Sequence, residues 1–550
     1  MRRPLLIASL LCSVSVFGIT SANAALTIAK GKTHDVSCDG GICNATAADA
    51  VLNVKDLANM LAAGDVSVFA EGVATDITIA DPFHWASSHH LTLGAYGSLN
   101  VKSTITVEGN AGLKITTNVA GGDGVYRLVN VGKISFWDTQ SSLIINGDSY
   151  TLVNNLPALI GQIAANPSGN FALANDYNAA QDGSYPAAAI PTSFQGKFDG
   201  LGNVIDKLTI FDTTATIANY GLFAQIASGG QVSNVTLTNF SSQTVSSYVG
   251  AIAAINQGTI THAIASGAIL GSPGANLDAG GIVYNNQGTV TRSHAAVDVT
   301  NALYEGGVAA LSTGMISLSD ASGNISGGQV AGGLVGESDG FVSECYATGT
   351  VTLTGNERVI AGGLAGNATG MIVRSFATGA VSAGAGTPHG APARKPPGVK
   401  VGGLVGASAA QVLYSYALGS VTGQSSTGAK FSTIGGLVGT NQANGSIFQS
   451  YSLGAVNLLK SQRYLGGSIG YDYALQGTHN AVYWDLDTSG VTDPAHGAGN
   501  VSLDKGLKGV PEDNFRRATI HAFSSEEWAE KSTINNGYPY LIANPPPPPQ

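Results

Sequence analysis

The strongest constraint on the fold is a repeated block of glycine and small residues in the middle of the chain. One copy opens with Val330-Ala-Gly-Gly-Leu-Val-Gly336 and closes with Cys345-Tyr-Ala-Thr-Gly-Thr-Val351. Copies of the glycine-containing block begin at Gly250, Gly280, Gly306, Gly332, Gly362, Gly402, Gly435 and Gly466. Successive copies start 26 to 40 residues apart, which is the period of solenoid proteins. The chain is therefore predicted to stack one structural unit per copy.

Within each copy, apolar and polar residues alternate over short stretches that are bounded by glycine and asparagine. This period of two predicts short β-strands and not helices. If each copy is one coil of a β-solenoid, equivalent residues of successive coils stack about 4.8 Å apart in parallel ladders. The longest interval contains the proline-rich stretch 384–400, which we expect to project as a loop.

The composition agrees with this architecture and disfavours several others. Charged residues make up only 11% of the 550 residues and glycine fills 74 positions, so good helix formers are scarce. Charges stacked every ~4.8 Å would repel along a ladder, whereas glycine and small polar residues suit stacked turns. The net charge of −10 disfavours a nucleic-acid-binding protein, because phosphate binding requires clustered Lys and Arg.

Aligned copies also predict which residues share a ladder. The predicted buried ladders are an aliphatic one of Leu334, Leu364, Leu404 and Leu437, and a small one of Cys345, Ser375, Ser415 and Ser450. Cys345 is therefore interpreted as a small buried hydrophobe that replaces serine and is not a nucleophile.

An aromatic ladder is the candidate binding site. The parity of a strand places these rings on the face opposite the small ladder; they are Tyr346, Phe376, Tyr416 and Tyr451. If the rings point outward, they form a strip that can stack on sugar faces or contact a partner. The alternative is that a turn between Val342 and Cys345 shifts the register and buries them.

The flanking regions divide into further predicted segments. Residues 25–64 are predicted to form an N-terminal cap whose short helix, Val54 to Ala63, shields the end of the solenoid. Residues 65–240 are predicted to be upstream coils with a short helical insertion near 156–165, and residues 241–496 to be the repeat itself. Residues 497–541, where charge density rises, are predicted to be an irregular C-terminal cap. The proline-rich residues 542–550 that follow are interpreted as a stiff tail or a truncated linker.

Residues 1–24 have the order of a cleaved signal peptide. Arg2 and Arg3 precede an apolar run from Leu5 to Ile19, and Ala22-Asn-Ala24 supplies the cleavage site. A membrane anchor is the alternative, but a run of about 15 residues is shorter than the ~20 that span a bilayer.

Two cysteines lie shortly after the predicted signal peptide, which implies that the chain is exported. Cys38 and Cys43 are predicted to form a local disulfide across a loop that contains two glycines. A metal site is the alternative, but a single C-x4-C pair with only His34 nearby gives weak support for zinc.

The repeated Gly-Gly-Leu-Val-Gly and Ser-Tyr-Ala-Thr-Gly blocks resemble the GLUG-motif repeats of secreted bacterial proteins, which include filamentous haemagglutinin-type adhesins and some surface peptidases. Tyr483-Trp-Asp485 and Gly537-Tyr-Pro-Tyr-Leu541 resemble segments that bracket these repeats in the haemagglutinin-like members. The resemblance covers about residues 65–541. It implies a right-handed parallel β-helix on an exported and often adhesive protein.

Little catalytic chemistry is visible in the sequence. It has no H-E-x-x-H helix of a zinc peptidase and no Walker loop. A polysaccharide lyase or glycoside hydrolase on a β-helix needs carboxylates that converge on one groove. Acidic residues do not recur at one ladder position, although Glu337 and Asp339 share a coil, and they are interpreted as solvated turn residues. His84, His89 and His90 are interpreted as a surface loop and not as a metal site.

The sequence thus predicts an exported, non-enzymatic, adhesin-like β-helix that contacts a host cell, a neighbouring cell or matrix through carbohydrate or protein. The alternatives are a carbohydrate-active β-helix enzyme and a purely structural component of the surface or periplasm. The expected location is extracellular or the cell surface, with the periplasm as the alternative. No cofactor, metal, nucleic-acid partner or membrane-spanning segment after signal cleavage is predicted.

Overall fold

The computed structural model describes residues 24–118, 124–214, 217–272, 276–355, 359–385, 398–424, 431–459, 463–474 and 478–548. Strands hold 51% of the residues and helices 7%, so the protein is all-β, as predicted. The chain forms two compact units, Met1–Lys133 with Leu143–Asp148, and Ile134–Ser142 with Ser149–Gln550. The segment boundary predicted near residue 240 therefore lies inside the second unit. The predicted signal peptide, apart from Ala24, and residues 386–397 of the predicted loop lie outside the described residues.

The first unit is built from short strands that pair mostly in parallel and from one helix, Val54–Ala63, whose bounds are those predicted. The helix begins there because the Asn53 side chain accepts a hydrogen bond from the Lys55 backbone N–H at 2.8 Å. The strands are Ala25–Ala29, Val36–Asp39, Ile42–Ala45, Val51–Asn53, Val66–Ala70, Asp76–Ile79, Phe83–Trp85, His90–Ala95, Leu99–Val101, Thr104–Val107, Gly112–Thr116 and Tyr126–Leu128. Lys133–Phe136 and Ser142–Ile145 are two further strands, at the sequence boundaries of the units.

Coils of the second unit contribute strands to three long parallel sheets. Sheet 1 consists of Asn219–Tyr220, Tyr248–Gly250, Asp278–Gly280, Tyr304–Gly306, Val330–Gly332, Val359–Gly362, Val399–Gly402, Ser432–Gly435 and Arg463–Gly466. Sheet 2 consists of Phe223–Ile226, Ala253–Asn256, Val283–Asn286, Ala309–Ser312, Val335–Ser338, Ala365–Ala368, Val405–Ser408, Val438–Asn441 and Ile469–Asp472.

Sheet 3 takes one to three strands from each coil. Its members are Asp148–Val153, Asn170–Leu173, Tyr177–Asn178, Ser184–Tyr185, Lys197–Asp199, Val204–Asp206, Thr209–Asp212, Gln231–Ser233, Thr236–Thr244, Thr259–Thr261, Ile264–Gly271, Thr289–Thr291, His294–Thr300, Met315–Ser317, Asp320–Ala321, Ile325–Gly327, Phe341–Ser343, Tyr346–Ala347, Val351–Gly355, Met371–Val373, Phe376–Ala377, Val381–Ala385, Gln411–Leu413, Tyr416–Ala417, Val421–Gln424, Ser446–Ser452, Val456–Leu459, Asn480–Asp485 and Leu507–Val510. The predicted helical insertion is present as Leu156–Ala165, and a 3-10 turn spans Ala179–Asp182.

The glycine pair of the repeat sits at the turn from sheet 1 to sheet 2. A Cβ on Gly332 would lie 2.1 Å from the carbonyl oxygen of Val335, so no other residue fits the turn without movement of the backbone. The turn is followed by the predicted aliphatic ladder. Leu334 donates its backbone N–H to the carbonyl of Leu364, and Leu364 donates to Leu404, both at 2.9 Å. All four leucines of the predicted ladder are fully buried.

The predicted ladder of small residues is also buried, and its chemistry explains the preference for serine. The Ser375 hydroxyl accepts the backbone N–H of Cys345 at 3.1 Å, and the Ser450 hydroxyl accepts that of Ser415 at 3.1 Å. Each serine thereby satisfies a buried donor in the neighbouring coil. Cys345 is fully buried, and burial raises the pKa of its thiol to about 12. A thiol that stays protonated is a poor nucleophile, in agreement with the prediction.

The segment predicted as a C-terminal cap follows a different course. Leu507–Val510 pairs in parallel with Asn480–Asp485 and so extends sheet 3. Residues 512–544, which we name the strap, then run back along the outside of sheet 3. The strap contains the helix Glu512–Ile520, a 3-10 turn at Asn535–Gly537, and the antiparallel strands Trp528–Ala529 and Tyr540–Leu541.

Candidate functional site

The aromatic ladder exists and its rings stack. Tyr346, Phe376, Tyr416 and Tyr451 are paired in register on successive coils. Their ring centroids are 4.9, 4.7 and 5.1 Å apart, and neighbouring ring planes differ by at most 5°. The ladder continues to Tyr483, which pairs with Tyr451 and which the sequence analysis did not include.

The strap covers this ladder, and the predicted binding strip is therefore wrong for the folded chain. Phe376, Tyr416 and Tyr451 are fully buried, and Tyr346 is half-buried. The rings pack outside the main core, as strand parity predicted, but they form a cluster of their own with side chains of the strap. The covering residues of that cluster are Phe515, Phe523, Trp528 and Leu541.

Hydrogen bonds anchor the strap to successive coils. The Tyr451 hydroxyl donates to the carbonyl oxygen of Pro539 at 2.6 Å and accepts from Asn535 Nδ2 at 2.8 Å. Further along, the side-chain amide of Asn544 donates to the carbonyl oxygens of Cys345 at 3.2 Å and Arg374 at 3.0 Å. The strap thus reaches from the coil of Cys345 to the coil of Tyr483.

An ion pair holds the middle of the strap. Arg374 Nε and Nη2 donate to the two carboxylate oxygens of Glu527 at 2.6 and 2.7 Å, and Arg374 Nη1 lies 3.7 Å from Glu344 Oε1. These hydrogen bonds to Glu527 raise the pKa of Arg374 further. Both Arg374 and Glu344 have left-handed backbone conformations, with φ of 48° and 55°. The same turn therefore aims both side chains outward, Arg374 at the strap.

A buried cluster near the end of the coils has the composition of a metal site. Asp472, His479 and Asp504 each bring one ligand atom within 4.8 Å of the others. His479 Nε2 lies 2.9 Å from Asp472 Oδ2, and the backbone N–H of Ile447 donates to His479 Nδ1 at 3.2 Å.

The hydrogen bonds of this cluster favour a proton over a metal ion. An imidazole that accepts a hydrogen bond at Nδ1 carries its proton at Nε2, so neither ring nitrogen has a free lone pair. Burial acts to raise the pKa of Asp472, but hydrogen bonds from His479 and Asn441 outweigh it and hold this pKa below its ordinary value. We interpret the cluster as a structural Asp–His pair.

The other acidic and histidine side chains that the sequence analysis considered form contacts with neighbouring side chains of the coils. Glu337 accepts from Asn367 of the next coil at 2.7 Å, and Asp339 accepts from Thr369. In the first unit, His84 Nδ1 lies 2.9 Å from Glu108, whereas His89 Nδ1 lies 3.5 Å from Asp65. Among the described residues, these histidines do not join a group of three metal-ligating side chains.

The structure also places the cysteines. Cys38 and Cys43 face each other across the antiparallel hairpin of Val36–Asp39 and Ile42–Ala45 and are joined by a disulfide. Cys345 is the free cysteine of the described residues.

Sequence reasoning missed the strap contacts and the Asp–His pair. Arg374 and Glu527 are 153 positions apart and belong to no shared pattern, so no spacing could have linked them. Asp472 and His479 are close in sequence, but they lie where the repeat is weak. The rise in charge density after residue 497 was the one visible sign that this segment differs from the coils.

No protein-family model matches the chain. An alignment of 216 positions, which covers 37% of the chain, shows 27% identity to halomucin from Haloquadratum walsbyi (strain DSM 16790 / HBSQ001) and spans 2% of the length of halomucin. A crystal structure named "a putative immunoglobulin A1 protease from Bacteroides ovatus" aligns with 72% of this chain and 93% of its own, at 17% identity and a TM-score of 0.33. Neither similarity assigns a family or an activity. Within the described ranges, no helix has the length and apolar character that crossing a membrane requires.

Proposed function

We propose that the protein is an exported, non-enzymatic, adhesin-like β-helix of the GLUG-repeat type that contacts a cell surface or matrix through the sides of its coils. In this proposal the coils wind to the right, and the helix Val54–Ala63 shields the N-terminal coils of the first unit. The contact surface is assigned to sheets 1 and 2, because the strap occupies the ring ladder of sheet 3.

The observation that carries the proposal is a run of three hydrogen-bonded glutamines on successive coils, at or just after the strands of sheet 2. Gln225 Nε2 donates to Gln257 Oε1 at 2.9 Å, and Gln257 Nε2 donates to Gln287 Oε1 at 3.0 Å. Gln257 and Gln287 are exposed, and Gln225 is half-buried. Amide ladders of this kind both donate and accept hydrogen bonds along several coils. They suit a neutral polar partner, such as a polysaccharide or a protein surface, better than a charged one.

Tyrosine rings accompany the amide ladder. Tyr248 of sheet 1, which is half-buried, stacks on Tyr284 of sheet 2 in the next coil, which is buried, with a centroid distance of 4.4 Å. Further along, Tyr464 meets Tyr471 edge-on at 4.6 Å. Tyrosine supplies an apolar face with a polar tip, which is the combination that weakly charged contact surfaces use.

The competing enzymatic function has less support. Burial raises the pKa of Asp199 and of Asp278 to about 6. Each carboxylate, however, accepts hydrogen bonds from its own set of nearby groups. Asp199 accepts from the backbone of Leu201 and from Asn234, and Asp278 accepts from the backbone of Tyr304. A glycosidase requires two carboxyl groups that face one substrate bond.

The test uses the full chain expressed in a bacterium with its own N-terminus. We expect protease treatment of intact cells to remove the protein, and coated beads to bind immobilised glycans or matrix proteins. Leu10→Arg, which disrupts the apolar run, is the control and should retain the protein inside the cell. Cytoplasmic retention of the unaltered chain would refute export, and turnover of a polysaccharide would refute the non-enzymatic assignment.

A further inference from the structure

The coil that begins at Gly280 departs from the repeat in the crease where sheets 1 and 2 meet. A Cβ on Gly336 would lie 2.8 Å from the carbonyl oxygen of Glu305, so the fifth position of the glycine block points at the backbone of sheet 1. The Gly280 coil has Tyr284 at this position. A large side chain at such a crowded point breaks the local rule of the repeat, and such departures are expected at functional sites. The five coils from Gly332 onward have glycine there, as Gly336, Gly366, Gly406, Gly439 and Gly470.

Three tyrosines and one carboxylate converge in this crease. Tyr248, Asp278 and Tyr304 occupy one ladder position of sheet 1 on successive coils. The ring of Tyr284 stacks on that of Tyr248, with 13° between their planes. Burial is the main reason that the pKa of Tyr284 is raised, and the charges of Asp278 and the other two tyrosines raise it further. The four side chains therefore lie within electrostatic reach of one another.

The oxygen atoms of these side chains are largely unpaired but reachable from solvent. Asp278 accepts one long hydrogen bond, from the backbone N–H of Tyr304 at 3.3 Å. The three tyrosine hydroxyls make no hydrogen bond to any described residue, and none of them is enclosed in the way that the Tyr416 hydroxyl is. Tyr284 is 9% exposed, and the other three side chains are half-buried. The crease thus offers hydroxyl and carboxylate oxygens that a narrow ligand can reach.

Asp278 lies in a strongly acidic part of the chain. Between Lys207 and Arg358 the sequence has nine Asp or Glu residues and a single Lys or Arg, which is Arg292. Arg292 follows the strand Thr289–Thr291 of sheet 3, and Asp278 forms no ion pair within the described ranges. Burial without a nearby positive charge raises the pKa of Asp278 to about 6. A ligand that carries a positive charge would offset this cost.

We infer that this crease is a docking site for a lysine side chain of a protein partner, whose ammonium group pairs with Asp278 and donates hydrogen bonds to the tyrosine hydroxyls. The inference rests on the proposed function, because it names the partner that sheets 1 and 2 would contact. A lysine ammonium has three donors and no acceptor, which matches a carboxylate beside hydroxyl oxygens. Its four-carbon stem is thin and apolar, so it can lie along the tyrosine rings while the charge reaches the floor of the crease.

Two other cations fit the crease less well. An amino sugar holds its nitrogen directly on a wide ring, which cannot follow the path of a thin stem to half-buried oxygens. Ca²⁺ takes about 6–8 oxygen ligands, whereas the crease supplies one carboxylate. Both cations therefore serve as competing probes.

The test measures binding to the purified full chain by ligand-observed NMR. The probe is an acetylated and amidated pentapeptide with one lysine between pairs of glycines. Matched peptides carry Nε-acetyl-lysine, which has no charge, or Nε-trimethyl-lysine, which has the charge but no donor. We expect the lysine peptide to bind, and the two modified peptides, methyl glucosaminide and Ca²⁺ to bind at least about tenfold more weakly.

The pH dependence of this binding reports on the carboxylate. The affinity for the lysine peptide should fall about tenfold between pH 7 and pH 5, because Asp278 takes up a proton near pH 6. The other titratable groups that face it, Tyr248, Tyr284 and Tyr304, stay protonated over this range. The unmodified lysine ammonium also keeps its charge.

Two variants locate the site. Asp278→Asn removes the charge, and Tyr284→Ala restores the residue that the neighbouring coils have as Ala254 and Ala310, so both variants should fold. Each should weaken binding of the lysine peptide about tenfold, and Asp278→Asn should also remove the pH dependence. The matched control is Asp298→Asn, at an exposed position of sheet 3, which should leave the affinity unchanged.

Four outcomes would overturn the inference: the lysine peptide does not bind, either modified peptide binds equally well, the amino sugar or Ca²⁺ binds more tightly, or both crease variants keep the full affinity. Failure of the docking site can be separated from failure of the proposed function. A chain that is exported and adheres but does not bind the lysine peptide retains the function without this site. A chain that binds the peptide at the crease but stays in the cytoplasm retains the site without the function.

Discussion

Two neighbouring tyrosines of the ring ladder make the packing of the strap testable by the same small substitution. The rings of Tyr416 and Tyr451 are 5.1 Å apart, and both side chains are fully buried under the strap. The Tyr451 hydroxyl bonds to Pro539 and Asn535, whereas the Tyr416 hydroxyl has no partner among the described residues. Replacing either residue by phenylalanine removes one oxygen atom and leaves the ring.

The expected effects have opposite signs. Tyr451→Phe removes two hydrogen bonds, but Asn535 Nδ2 still donates to the carbonyl of Pro539 at 2.8 Å. Both strap groups that bonded to the Tyr451 hydroxyl therefore keep a hydrogen-bond partner. The net loss should be about 1 kcal/mol of strap closure. Tyr416→Phe removes a hydroxyl that loses its water when the strap closes and gains nothing, so closure should become more favourable by about 1 kcal/mol. The two variants should differ by about 2 kcal/mol, which is about thirtyfold in the opening constant.

Hydrogen–deuterium exchange of peptides from 524–541 measures this opening directly. A global melt is less suitable, because a long coil stack need not unfold in two states. Tyr96→Phe, in the first unit, is the control and should not change exchange in the strap. If Tyr416→Phe opens the strap as much as Tyr451→Phe does, the hydroxyl partners do not govern closure and the reasoning fails.

Three other perturbations follow from charged or titratable groups. Arg374→Lys should favour strap opening by about 1–2 kcal/mol, because one ammonium cannot reproduce two parallel bonds to Glu527; unchanged exchange in 524–541 would contradict this. Burial raises the pKa of Glu305 well above its ordinary value, so the folded state retains a proton that the unfolded chain has lost, and stability falls as pH rises above about 4.3. Glu305→Gln should therefore raise the melting temperature at pH 8 but not at pH 4, and an equal shift at both would refute the assignment. Zn²⁺ and EDTA should leave the melting temperature unchanged; a shift with Zn²⁺ that His479→Gln abolishes would show that the metal displaces the Ile447 contact.

Period and residue size were enough to predict the ladders of the coils. Leu334 and Ser375 have equivalents in each strong copy, and a residue that recurs at one point of a coil must stack on its equivalents. The two helices were equally predictable from the sequence, because Val54–Ala63 and Leu156–Ala165 each combine an asparagine cap with apolar residues at helical spacing. These features are local in sequence or repeated along it.

The exposure of the aromatic rings could not be predicted from the sequence, and the reason is physical. Strand parity fixes which face a side chain takes, and it correctly placed Tyr416 and Tyr451 opposite the small ladder. Parity says nothing about what covers that face. The cover comes from Phe515 and Trp528, far along the chain and in a segment without period.

The strap also changes how the coils should respond to stress. In a solenoid each coil contacts only its neighbours, so stability is a sum of local terms and coils can open one at a time. The strap contacts the coils of Cys345, Arg374, Tyr416 and Tyr451 and also that of Tyr483, and it therefore couples coils that do not touch one another. Opening any one of them exposes part of the strap and weakens its hold on the rest. The coils under the strap should therefore open as one cooperative block.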